Sequence, residues 1–142
     1  MNLTIRFGAL LLIVFAASGQ GIPPAATVQT EMPDLASGKK TYTEYCASCH
    51  GDNGKGMGPA ASALKTPPSD LTTLANRRAG KFPEDYVSDI VRLGKPIMAH
   101  GSAEMPVWGP IFNARDKFNE LAVKQRIKNL CAYLATVQEK ES

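Results

Sequence analysis

The chain has 142 residues, of which 44% are hydrophobic and 20% charged, and a formal net charge of +3. So mild a balance offers no strongly basic face, and it gives no argument for nucleic-acid binding. At the amino terminus a single charge, Arg6, precedes an apolar run from Phe7 to Ala17 that ends in the small residues Ser18 and Gly19. This is the pattern of a secretory signal peptide, read here as residues 1–19 with cleavage after Ser18 or Gly19. An uncleaved amino-terminal anchor is the alternative. The run falls short of the ~20 apolar residues a membrane span requires, so no transmembrane span is expected in the mature chain. Residues 20–33 hold Pro23, Pro24 and Pro33 without apolar periodicity and read as a flexible tether. Residues 34–138 are then one domain, and 139–142 a disordered tail. A domain of about a hundred residues is marginal for a core built from side chains alone.

The domain reads as all-α. Asp34 can cap a first helix that carries Leu35, Gly38, Tyr42 and Tyr45 on one side and runs into residue 46. Asp70, after Pro67-Pro68-Ser69, can cap a short helix through Arg78. Pro83, Glu84 and Asp85 form a favourable first turn, and Tyr86, Val87, Ile90 and Val91 continue that helix until Gly94 stops it. Asn119 caps the last and longest helix. Its Val123, Ile127, Leu130, Leu134 and Val137 recur at three- and four-residue steps, the mark of a buried stripe. The stretches 51–69 and 94–118, rich in Gly and Pro, are expected to be loops.

Between the first helix and the first loop stands Cys46-Ala47-Ser48-Cys49-His50. Two thiols three positions apart, followed at once by an imidazole, is the spacing for covalent attachment of a c-type haem. Each sulfur adds across one vinyl group, and His50 is carried beneath the iron as proximal ligand. A zinc site would want a second ligand pair, and Cys131 and His100 stand alone. A thioredoxin-like redox pair needs a βαβ context, and no strand pattern flanks the motif. A haem would also add the apolar surface that so small a core lacks, and its attachment outside the cytoplasm agrees with the amino-terminal leader.

Four residues are candidates for the second axial position: Met57, Met98, His100 and Met105. Met57 follows His50 by seven residues, a reach of at most ~25 Å when fully extended, so the route round the porphyrin edge is strained. Met98 and His100 share the loop of Met105. Met105 is favoured because Pro106 holds it out of helical geometry and Gly109-Pro110 add a second rigid turn. The bland reading of each other methionine is core filler or surface residue.

With these residues in hand, the chain resembles a class I monohaem cytochrome c of the bacterial exported type over about residues 34–138. The resemblance rests on Cys46–Gly51, Gly54-Lys55-Gly56 leading to Gly58-Pro59, Pro67–Thr72 and Met105-Pro106-Val107-Trp108-Gly109. It implies a fold of four to five short helices around one covalent haem c, bound through Cys46 and Cys49 and ligated by His50 and Met105. It further implies a crossing of the first and last helices, with Gly38 and Tyr42 against Leu130 and Tyr133. It puts the carbonyl of Pro59 on the far ring nitrogen of His50, and Arg92 and Trp108 within reach of a haem propionate. Cys131 departs from the family pattern, in which an aliphatic residue is usual. It is read as a buried free thiol acting as a small hydrophobe, with an intermolecular disulfide as the alternative.

Iron held by histidine and methionine has no place for substrate or oxygen and can change only its charge. The expected function is one-electron transfer between donor and acceptor complexes outside the cytoplasmic membrane, in a periplasmic protein that is not itself an enzyme. Two rivals are a haem subunit of a larger periplasmic oxidoreductase, and a sensor or peroxidase with an open iron.

Overall fold

The computed structural model describes residues 32–94 and 104–140. The leader at 1–19, most of the tether at 20–33, Met98, His100 and the last two residues lie outside the described residues. Within them are five α-helices and no strand: α1 (Leu35–Tyr45), α2 (Ala47–His50), α3 (Glu84–Leu93), α4 (Trp108–Arg115) and α5 (Glu120–Thr136).

The capping residues act as expected. The Asp34 carboxylate accepts from the amides of Ala36 and Ser37, and the Asn119 side chain accepts from Ala122, so each helix start has a partner for an otherwise orphaned donor. Gly94 ends α3 in the left-handed conformation at φ 58°. On α5, Val123, Ile127, Leu130 and Leu134 are all buried, Leu130 to 1% exposure, and Val137 packs on the core at the end of the stripe.

The core is organised by the crossing of α1 and α5. A Cβ on Gly38 would lie 2.1 Å from the Asn129 carbonyl oxygen and 2.9 Å from the Tyr133 Cβ. Hydrogen in place of a side chain is therefore what lets the two backbones meet. One turn further on, the Tyr42 and Tyr133 rings pack at 5.5 Å. Asn129, which the apolar periodicity did not mark, fastens the same crossing: its Oδ1 accepts from the Asp34 amide at 3.0 Å and from Gln125 Nε2 at 2.8 Å. Arg126 pairs with Asp116 at 2.5 Å, donates to Thr41 Oγ1 at 3.5 Å and lies over the Phe112 ring. That one side chain thus links α5, the α4–α5 turn and α1. Replacing Gly38 with Val should destabilise the folded protein by ~1–3 kcal/mol or more, because the obstacle is backbone and cannot rotate away. At about 4–8 °C per kcal/mol for a domain of this size, thermal unfolding will show it. An unchanged melting temperature would contradict the crossing.

Two expectations need correction. Residues 70–78 do not form a helix: the chain makes turns and then a single 3-10 turn over Asn76–Arg78. The Asp70 carboxylate accepts from both the amide and the hydroxyl of Thr72, a local closure that competes with the helical ladder. Arg77 meanwhile donates to the carbonyls of Asp70 and Thr73. The second correction is α4, inside a stretch expected to be loop. Pro110 stands in its first turn, where a missing N–H costs no intrahelical bond, so Gly109-Pro110 begin a helix instead of breaking one. Gly109 serves close approach, since a Cβ there would come within 2.2 Å of the Arg92 carbonyl oxygen at the end of α3.

Cys131 is a free thiol at 1% exposure, as expected of a small core hydrophobe. Burial first, and then the charges of Glu84 and Asp85, push it up to about 12 from an ordinary 9.0. The folded state therefore favours the neutral thiol. Any stability it contributes is complete below pH 9 and is lost as the pH rises toward about 12. The stability difference between the parent protein and Cys131→Ala should be flat below pH 9 and fall above it. A difference constant through pH 11 would contradict this environment.

Candidate functional site

α1 and α2 are nearly continuous, and the junction shapes the site. Cys46 leaves ideal helix geometry at φ −115°, ψ −36°, while its amide still bonds to the Tyr42 carbonyl at 2.8 Å. The amides of Cys49 and His50 both return to the Cys46 carbonyl, at 3.1 and 2.9 Å. One tight turn therefore carries both thiols and the imidazole. Cys46 and Cys49 are partly buried and not bonded to each other. Burial, reinforced by Cys49 next to it, pushes the Cys46 thiol up to about 12. A thioether, which cannot ionise, suits that apolar setting better than a thiolate.

His50 is held by one bond of consequence. Its Nδ1 lies 2.9 Å from the Ser69 carbonyl oxygen. A carbonyl can only accept, so Nδ1 carries the proton. Burial lowers the imidazole below its ordinary pKa, and the Ser69 bond only partly opposes this. The result is a neutral ring with Nε2 available as a ligand atom, the form metal-bound histidine takes. The acceptor expected from the resemblance was Pro59, and this is corrected. The 58–60 turn engages the end of α2 through its amides, Gly58 to Cys49 O at 3.0 Å and Ala60 to Ser48 O at 2.8 Å. The segment ending at Ser69 reaches the ring instead.

That segment is fixed against the loop after the motif. Gly56 N donates to the His50 carbonyl, and Leu71 N to the Gly54 carbonyl, both at 2.8 Å. The buried Tyr42 hydroxyl donates to the Gly51 carbonyl at 2.5 Å, and burial raises its pKa further above the ordinary value.

Met105 is partly buried and packs on the core cluster, as do Cys46, Tyr45, Leu71 and Trp108. Around it the rings of Tyr45, Trp108 and Phe112 form a close set, with centroids 5.2–5.8 Å apart. The neighbouring residue, Glu104, went unnoticed in the sequence. Its carboxylate accepts from the amides of Lys65 and Thr66, at 3.0 and 3.4 Å, and so ties the Met105 segment to the first loop. Met57 is 74% exposed, which removes it from the core on which Met105 packs. Arg92 forms an ion pair with Glu120 on α5 at 3.1 Å. The donor set suits a haem: two free thiols one turn apart, a neutral imidazole, a thioether on the core, and aromatic surroundings.

A small all-helical domain built around a Cys-x-x-Cys-His turn is a c-type cytochrome domain. The chain belongs to the family described as cytochrome c oxidase, cbb3-type, subunit III, which matches residues 33–120. It is also 44% identical over 91 residues to the thiosulfate dehydrogenase of Stutzerimonas stutzeri (strain A1501), an alignment covering 61% of this chain and 29% of that protein. The chain thus matches less than a third of that relative's length. No solved structure matches it. Membership of the family brings covalently attached haem c, electron transfer through it, and redox partners. No helix among the described residues is long and apolar enough to cross a membrane.

Proposed function

We propose that this protein is a one-electron carrier whose haem is attached through Cys46 and Cys49 and ligated by His50 Nε2 and Met105 Sδ. The observation that carries the reading is the His50–Ser69 bond, which leaves a neutral imidazole with one ligand atom to offer. When bound, the haem supplies a reversible ferric–ferrous couple, and a thioether ligand raises its potential. The chain's own residues keep the site rigid. Ser69 holds the His50 ring, Glu104 holds the Met105 segment, and the Tyr45–Trp108–Phe112 set packs apolar surface on the same core. Rigidity keeps the ligand arrangement alike in both oxidation states, so little rearrangement opposes transfer. The leader at 1–19 directs the protein out of the cytoplasm, where it meets a donor and an acceptor.

A second reading is that the chain serves as the haem domain of a larger oxidoreductase. The 44% identity with a thiosulfate dehydrogenase supports it. Potentiometric titration of the isolated holoprotein, with a thiosulfate oxidation assay beside it, separates the two. A carrier follows a one-electron Nernst curve and does not turn thiosulfate over. Turnover of thiosulfate by the isolated chain would make it an enzyme and overturn the proposal.

A further inference from the structure

The end of α5 is fastened to the segment that holds His50, and the fastening runs through one side chain. Gln138 lies just beyond the helix, whose last residue is Thr136. Its Nε2 donates to the Leu71 and Leu134 carbonyls, and its Oε1 accepts from the Ala75 amide, all at 2.8 Å. Next in the chain, the Glu139 amide donates to the Thr72 carbonyl at 2.8 Å. The Glu139 carboxylate also pairs with Lys55 at 2.7 Å, an exposed contact of minor weight. The 71–75 segment has no regular helix to stabilise it, so its backbone groups depend on such partners.

Leu71 is two residues from Ser69, and its own amide is bonded to Gly54 in the loop after the motif. The position of the Ser69 carbonyl is therefore set from two directions: from the motif loop through Leu71 N, and from α5 through Leu71 O. We infer that Gln138 is a positioning residue for His50, holding from the carboxyl-terminal end of the fold the segment whose Ser69 carbonyl bonds to the imidazole. The inference rests on the axial role proposed for His50. A bond to the far nitrogen raises ligand basicity and so favours ferric iron. Loosening it should raise the reduction potential.

The test uses the holoprotein and two readouts, the reduction potential and the exchange rate of the His50 Nδ1 proton followed by NMR. In Gln138→Leu the proton should exchange about tenfold faster. The ferrous-to-ferric preference should rise severalfold, and a full tenfold would be about 59 mV for a one-electron couple. Gln138→Glu keeps an acceptor for Ala75 N and loses the donor to Leu71 O. It should move both readouts in the same direction, and it decides the matter should Gln138→Leu give no holoprotein. Val137→Ala, a neighbouring packing change, should lower the melting temperature and leave both readouts in place. Unchanged potential and proton exchange in the Gln138 variants would overturn the inference, even with lowered stability. A parent protein whose ferric spectrum lacks histidine ligation would instead overturn the axial assignment beneath it.

Discussion

Met105→Ala should erase the weak near-infrared charge-transfer band of sulfur–iron ligation from the oxidised protein. It should also open the ferrous iron to carbon monoxide. The potential should fall by on the order of 0.1 V, a modest part of the ~0.8 V that axial ligands span. The reason lies in the setting of this side chain. Met105 packs on the core between a segment clamped by Glu104 and the aromatic set led by Trp108. Alanine at that position removes the sulfur and leaves a gap that no neighbour on a rigid loop can fill. Met57→Ala should change none of these properties, since that side chain is 74% exposed. A band that persists in Met105→Ala would transfer the ligand role to another methionine.

Changing Cys46 and Cys49 together to alanine should remove the whole covalent haem mass from exported protein. Any haem still present should come away in acid–acetone. Either single variant should keep one thioether. Loss of the cofactor should also cost most of the fold's stability, because a domain of about a hundred residues has little core to spare. Mass spectrometry and thermal unfolding read the two effects separately. Covalent haem in the double variant would show that the attachment lies elsewhere.

What the sequence revealed and what it hid follow from the range of the forces involved. The caps at Asp34 and Asn119, the stop at Gly94 and the α5 stripe are local, set by residues within a turn or two, and the structure shows them. Gly38 was legible through resemblance, and the closeness of Asn129 O gives the physical reason. Helix α4 was hidden because Gly109-Pro110 signal a turn in isolation, whereas in the first turn of a helix their cost is small. The segment 70–78 misled in the opposite sense. Asp70 looks like a helix cap, yet Thr72 and Arg77 consume the groups a helix would need.

The motif named its own chemistry, but the groups that support it are distant in the chain. Ser69 is nineteen positions from His50, and Gln138 is sixty-seven from Leu71. Pro59 was the nearer guess for the His50 acceptor. It failed because the 58–60 turn has its amides committed to the end of α2. No periodicity or spacing reports such a bond, since what selects the acceptor is the path of two loops across one helix end. Glu104 was hidden for the same reason: a carboxylate beside Met105 shows its use only when Lys65 and Thr66 are seen to donate to it.

The claim at the centre of this account is that both axial positions of the iron are filled by side chains of this protein. Optical spectra of the unmutated holoprotein, oxidised and then reduced under carbon monoxide, test it most directly. The account predicts the sulfur–iron band in the oxidised state and no carbon monoxide adduct on mixing with the reduced one. Absence of the band together with rapid carbon monoxide binding would contradict it and make the iron an open, reactive site.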